Sequence, residues 1–430
     1  MSAEAVRGPA FGAVLRNRRG LAALTQEQLA ERSGLSARTI RRLESGALER
    51  PRGATVRLLA EALGLDDKGQ MLLAAASREG RHRSEPLRRL VVPRQLPADV
   101  AAFVGRADEL SILDTEPATA IAIDGMAGVG KTALAVHAAH RLAPGFPDGQ
   151  LFVDLHGHTH GTAPATPGDV LGRLLRALGV RNDRIPPHTD ARAALYRTVL
   201  AERRVLLVLD DAADAAQVEP LLPGGPGCRA LITSRRRLVA LDRTLTLDVL
   251  PVEDAVALLT HTAERLAGTP SRTLAELVGR CGLLPLAVRL AAARLRSHPT
   301  WDASHLLERL DDPGERLAEL EAGPRSVTAA LDLSVRGLDD DQRRAYLLLG
   351  LHGGGDFTVA AAASILGTSP PRAGRLLDRL LDVHLMQEPA PGRYRFHDLV
   401  REHAAHTAVA TGYPRSCTWP RTRPCTAPRA

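Results

Sequence analysis

Thr119-Ala-Ile-Ala-Ile-Asp124 runs directly into Gly125-Met-Ala-Gly-Val-Gly-Lys-Thr132, and residues 133–142 continue with a helical pattern. A short apolar, β-branched run reads as a strand. The glycines that follow let backbone N–H groups wrap an anion, and a helix amino terminus adds partial positive charge. In that frame Gly125, Gly128 and Gly130 shape a phosphate cradle, Lys131 reaches the β and γ phosphates of a nucleotide, and Thr132 ligates Mg2+. Composition adds weight, because Lys68 and Lys131 are the only lysines among 56 basic residues. A lysine at this one position in an arginine-rich chain is therefore informative.

Downstream, the apolar run Val205-Leu-Leu-Val-Leu209 ends in Asp210-Asp211. Acids at the carboxyl end of a parallel strand are what a magnesium nucleotide needs. Asp210 is the candidate for holding magnesium through water, and Asp211 the candidate for orienting or deprotonating an attacking water. Paired acids also commonly start loops, so the role of Asp211 stays open. Residues 229–233 form another strand pattern, followed by Ser234-Arg235, which puts Arg235 where it could sense a γ-phosphate. Strands alternating with helical segments predict an α/β domain with a parallel sheet over residues 99–250.

The amino-terminal region has a different character. Residues 1–94 carry 18 Lys/Arg against 10 Asp/Glu, and the remainder 38 against 39, so the whole net charge of +7 is amino-terminal. Attraction to a polyanion is therefore a property of this segment. Residues 9–76 read as five short helices. Phe11, Val14 and Leu15 share a face of the first, Thr25 with Gln28 forms a capping box for the second, and Ser33-Gly34 ends it. Ser36 caps a third helix whose Ile40 and Leu43 point inward while Arg38, Thr39, Arg41 and Arg42 are left outside, and Gly46 stops it.

The strings Thr25-Gln-Glu-Gln-Leu-Ala-Glu-Arg-Ser-Gly-Leu-Ser36 and Arg38-Thr-Ile-Arg-Arg-Leu-Glu-Ser-Gly46 resemble helix-turn-helix domains of the XRE, or Cro/C1, type. That resemblance implies that Ala37, Arg38, Thr39 and Arg42 read bases in double-stranded DNA and that Gln26 binds a phosphate. It also implies an internal ion pair between Arg19 and Glu44. One such domain makes few base contacts, so a dimer or higher oligomer is expected on a two-fold operator.

The central and carboxy-terminal motifs, in their order, resemble the NB-ARC (STAND, apoptotic-ATPase-like) nucleotide switches. Phe103-Val-Gly-Arg106 looks like the adenine-side entry loop, which assigns Val104 and Arg106 to the nucleotide. Cys281-Gly-Leu-Leu-Pro-Leu286 looks like the GLPL motif, with Leu283 in place of a glycine and Pro285 packing on the nucleotide. Tyr394-Arg-Phe-His-Asp398 looks like the motif closing the winged-helix subdomain, where His397 would meet the β-phosphate of ADP. Without the resemblance, residues 339–349, 360–366 and 372–381 still read as amphipathic helices, and residues 385–396 as a β-wing turning at Pro391-Gly392.

The predicted architecture is thus multidomain. An all-α helix-turn-helix domain (1–76) and a basic, Pro-containing linker (77–98) precede an α/β P-loop NTPase domain with a parallel sheet (99–250). A helical subdomain (251–325), a winged-helix subdomain (326–410) and an unstructured tail (411–430) complete it. Nothing resembles a membrane span or signal peptide, which sets the expectation of a cytoplasmic protein without membrane contact. Cys228, Cys281, Cys417 and Cys425 lack metal-ligand spacing and read as inert. His156-Gly-His-Thr-His160 has only Asp154 as a nearby carboxylate and reads as a loop rather than a metal site. The expected function is a DNA-binding transcriptional regulator switched by ADP and ATP with Mg2+, slow hydrolysis resetting it. The alternative is a STAND-type signalling or immune scaffold whose amino-terminal helices bind protein rather than DNA.

Overall fold

The computed structural model describes residues 11–45, 48, 51, 53–83, 92–101, 103–159, 161–241, 243–263, 266, 268–312, 314–322, 325–353 and 355–413. The expected stop at Gly46, the last histidine of the 156–160 run, Cys417 and Cys425, and all but residues 411–413 of the tail lie outside these residues. The chain divides into two compact units, residues 1–91 and 92–430.

The first unit is built from α1 (Phe11–Leu21), α2 (Gln26–Ser33), α3 (Ala37–Glu44), α4 (Gly53–Ala62) and α5 (Asp67–Arg83). Its core gathers Phe11, Val14, Leu15, Leu29, Ile40, Leu43, Leu59 and Leu73. Thr25 and Gln28 form the reciprocal capping box, Gly34 ends α2 at φ 68°, and Ser36 caps α3. The short turn between α2 and α3 needs a left-handed residue, which is why glycine stands there. At Gly12 a Cβ would lie 2.5 Å from the Leu43 carbonyl oxygen, so α1 and α3 pack backbone to side-chainless backbone. One expectation is corrected. α5 runs to Arg83, seven residues into the stretch read as linker from 77, with no proline inside it to break the helix. The far end of that stretch is also committed, since Arg94 bridges to Gln150 in the second unit's sheet.

In the second unit α6 (Ala107–Thr115) precedes β1 (Ala120–Gly125), α7 (Lys131–Leu142), β2 (Gly149–Asp154), α8 (Pro167–Ala177), α9 (Thr189–Leu200), β3 (Val205–Ala212), β4 (Arg229–Ser234) and β5 (Thr244–Leu247). All five strands are parallel, in the order β2-β3-β4-β1-β5. The sheet is covered on both faces, as parallel sheets require. Leu206 and Val208 enter one core with Ile121, Ile123 and Leu231, while Val205, Leu207 and Leu209 enter the other with Leu151, Val153 and Ile232. Helices Val252–Thr262, Ser271–Arg280, Pro285–Ser297 and Ala303–Leu310 follow. Three more helices, Val327–Arg336, Asp340–Gly350 and Val359–Leu366, lead to Pro370–Asp382, a two-stranded wing of Gln387–Ala390 and Arg393–Arg395, and the helix Asp398–Ala410. Among the described residues no helix is long and apolar enough to cross a membrane.

Candidate functional site

The carboxyl ends of parallel strands expose backbone and loop side chains at one edge of the sheet, where ligands collect in α/β folds. Here that edge opens into a cavity of about 460 Å3 whose lining includes Val104, Arg106, Gly128, Gly130, Lys131, Thr132, Asp210, Asp211, Arg235 and Pro285. Ten of the expected nucleotide-side residues therefore converge from distant parts of the sequence. Gly125 sits just behind them, its carbonyl accepting a hydrogen bond from Lys131 Nζ at 2.8 Å. Gly125, Gly128 and Gly130 have φ of 143°, 82° and 101°, conformations that turn the loop's N–H groups and that side-chain-bearing residues adopt only under strain.

The cradle suits a phosphate and a hard cation. Burial, with the positive charge of Arg235 nearby, pushes the Lys131 ammonium down to about 7, against the opposing pull of Asp211, Asp210 and Asp124. Thr132 Oγ1 donates to Asp210 Oδ1 at 2.8 Å, which pairs a hydroxyl and a carboxylate as oxygen ligands of the kind magnesium takes. Burial raises the Asp210 carboxyl, against the pull of hydrogen bonds from Thr233 and Thr132, and the charges of Asp154 and Asp211 raise it further. Asp211 moves the other way. Burial would raise it, but hydrogen bonds from His158 outweigh that and hold it below the ordinary carboxylate range.

Arg106, Arg235 and His397 are tied to elements flanking the cradle. Arg106 pairs with Glu109 at 2.8 Å and donates to the Asp248 carbonyl at 2.6 Å, so it fastens the entry loop beside the cradle. Arg235 donates to the Ala330 carbonyl at 2.7 Å and lies 3.8 Å from Asp211 Oδ1, so the strand-end arginine is held by the helix Val327–Arg336. His397 does not line the cleft. Its Nε2 is bonded to the Gly282 carbonyl at 2.8 Å, and it borders a neighbouring cavity of about 440 Å3 with Met126, His384 and Arg395. Leu283, where a glycine is usual, takes φ 57°, the left-handed conformation that explains why glycine suits the position. One residue beyond Pro285, the Leu286 N–H donates to the Gly128 carbonyl at 3.2 Å, joining this turn to the cradle.

In the first unit, Arg38 and Arg42 are exposed on α3, Thr39 is half-buried with its hydroxyl 2.8 Å from Ser36 Oγ, and Ala37 is partly buried against the core. Neither arginine head group is bonded to a described residue, whereas Arg41 pairs with Glu27 at 2.9 Å. The Arg19–Glu44 ion pair is present, at 2.6 Å. Gln26 differs from expectation in its present partner, since its side-chain amide donates to Glu44 Oε2 at 2.6 Å.

Sequence reading passed over other residues at the cleft. Val100, Phe103, Asp154, Leu250, Leu258, Leu286 and Arg289 also line it. Phe103 stacks on His137 with ring centroids 4.2 Å apart, and His137 Nδ1 is 3.1 Å from Asp99. Arg289 follows Pro285 by one helical turn, a spacing that could have signalled it. Among the described residues no cluster of His, Cys, Asp and Glu could hold a metal.

Comparison with known proteins places these sites in context. The helix-turn-helix domain family matches residues 10–70 and the NB-ARC domain family residues 107–265. The regulatory protein AfsR of Streptomyces coelicolor is 46% identical over 382 residues, covering 83% of this chain and 38% of that protein. A disease resistance protein of Vitis rotundifolia is 28% identical over 253 residues, covering 55% of this chain and 17% of its own length. Among solved structures, a Walker-type ATPase of Pyrococcus abyssi has a TM-score of 0.50 at 12% identity, covering 73% of this chain and 98% of that one. This chain therefore spans well under half the length of the curated relatives it matches.

Proposed function

We propose that this chain, which joins a helix-turn-helix domain to an NB-ARC nucleotide-binding domain, is a transcription regulator whose self-association and DNA binding are switched by ADP and ATP. The observation that carries the reading is Arg235. It stands in the phosphate cleft with Lys131, yet it is bonded to Ala330 on the helix Val327–Arg336. A γ-phosphate competes for the same guanidinium, and a charge-assisted bond to phosphate is stronger than one to a neutral carbonyl. ATP therefore favours release of that helix, and ADP, which has no γ-phosphate, leaves it held.

Thr132 and Asp210 would hold magnesium, which supplies neutralisation of phosphate charge. Asp211 orients the water that attacks the γ-phosphorus, and hydrolysis resets the switch slowly. His397 contributes by fixing the Gly282 carbonyl, two residues before the Leu284-Pro285 turn that covers the cleft. In the first unit Ala37, Arg38, Thr39 and Arg42 read an operator. Gln26 would release Glu44 to reach a phosphate.

The subdomains we assign are the nucleotide core to about residue 250, a helical part to 325 and a winged-helix part to 410. The scaffold alternative draws support from the plant disease resistance relative. The two exposed arginines on α3, Arg38 and Arg42, favour DNA.

Titrating the full chain with fluorescent ADP and ATP, with sedimentation to follow self-association, tests the switch. Lys131→Ala should weaken both nucleotides by about tenfold or more, as loss of charged hydrogen bonds does. Unchanged affinity in that variant would remove the cleft as the nucleotide site.

A further inference from the structure

Within the 156–160 histidine run, His158 clamps Asp211. Its backbone N–H donates to Asp211 Oδ2 at 2.8 Å and its Nδ1 meets Asp211 Oδ1 at 3.1 Å, one contact on each carboxylate oxygen. Two contacts fix the plane of the carboxylate, which a single bond would leave free to rotate. The backbone repeats the grip, because Gly157 N–H donates to the Asp211 carbonyl at 2.7 Å and Leu155 N–H to the Asp210 carbonyl at 2.8 Å. Gly157 is required for this approach. A Cβ there would lie 2.5 Å from both the Asp211 carbonyl oxygen and the Ala213 nitrogen.

The residue being gripped is itself unusual. Asp211 holds φ 53°, a left-handed conformation that costs free energy in a residue other than glycine and persists only where neighbours over-determine it. Its carboxylate lines the cleft with Lys131 and Arg235, while His158 does not line it and is 11% exposed behind it.

We propose that His158 is the positioning residue for Asp211, setting the orientation of the carboxylate that aligns water for attack on a nucleoside triphosphate. This rests on the hydrolytic switch proposed above. In that reaction a bond forms between the water oxygen and the γ-phosphorus, the bond from γ-phosphorus to the bridging oxygen breaks, and the water's proton ends on the released phosphate. His158 exchanges no proton with the substrate. Because it acts through Asp211, it affects turnover and leaves nucleotide affinity alone.

The test measures steady-state ATP hydrolysis and equilibrium affinity for a non-hydrolysable ATP analogue in the full chain, for wild type, His158→Ala, His158→Asn and His158→Gln. Asparagine places an amide N–H where Nδ1 stands, and glutamine places it nearer Nε2. The expected result is kcat down about tenfold or more for Ala and Gln, restored toward wild type by Asn, with analogue Kd within about twofold throughout, the pattern of a misaimed group. Equal turnover in all four proteins would overturn the proposal, as would a loss of affinity parallel to the loss of turnover. A wild type that binds ATP but turns it over no faster than Lys131→Ala would instead overturn the hydrolytic reading, and this inference with it.

Discussion

At the scale of single residues the first unit depends on one buried carboxylate. Burial pushes Glu44 up, but hydrogen bonds from Arg19 and Gln26 outweigh it and hold it below the ordinary carboxylate range. A depressed folded-state value gives stability that is full above the unfolded value of about 4.3 and is lost as pH falls through the folded value below it. Thermal unfolding of the full chain should therefore show the first unit weakening below about pH 4.3, and Glu44→Gln should flatten that dependence. Arg19→Ala should cost about 3 kcal/mol at neutral pH, since it leaves a buried charge without its partner. A change under about 0.5 kcal/mol in chemical denaturation would mean the pair is solvated. On the outer face, Arg38→Ala should relax base preference at one operator position by about 1–3 kcal/mol, read from binding to single-base operator variants. Placement was legible where the signal is local, as at Lys131 and Thr132, which line the cleft as the glycine-rich loop before them implied. It was hidden where a partner is distant, and nothing within the His156-Gly-His158 string points to Asp211, 53 residues away.

At the scale of elements, caps and punctuation did most of the work. Thr25 and Ser36 each cap the helix that the sequence assigned to them, and Gly34 and Gly392 turn where glycine stands. The end of α5 was misjudged because a helix's polar extension past the core carries no apolar period to follow. The close packing of α1 on α3 was also invisible, since Gly12 in a helical pattern reads as a mere weakness. Gly12→Ala must move α3 or α1, because its Cβ would meet the Leu43 carbonyl. We expect a loss of about 1–3 kcal/mol in the first unit, as overpacking gives, with weakened DNA binding and unaltered nucleotide affinity. Equal loss of nucleotide affinity would show that the substitution acts beyond α1 and α3. The sheet itself was legible because apolar, β-branched runs on both faces leave no other solution than a parallel layer between helices.

At the scale of the whole molecule, the sequence separates a basic amino-terminal unit from a nearly neutral remainder, and the structure adds how the second unit is fastened. Arg235 to Ala330 and His397 to Gly282 are both bonds from a cleft-forming element to the carboxy-terminal helices or wing, and neither could be inferred from spacing alone. They are what makes a two-state reading physical, because each nucleotide must favour one arrangement over the other to shift the balance. Arg235→Ala should release the helix Val327–Arg336 without a γ-phosphate, so its self-association should no longer differ between ADP and an ATP analogue. The most direct measurement of the central claim is binding of the full chain to the promoter DNA of its own gene, by mobility shift, with ADP, with a non-hydrolysable ATP analogue and with neither. The account predicts tighter binding or a higher-order complex in the ATP-analogue state. Sequence-specific binding that is identical in all three states would contradict it.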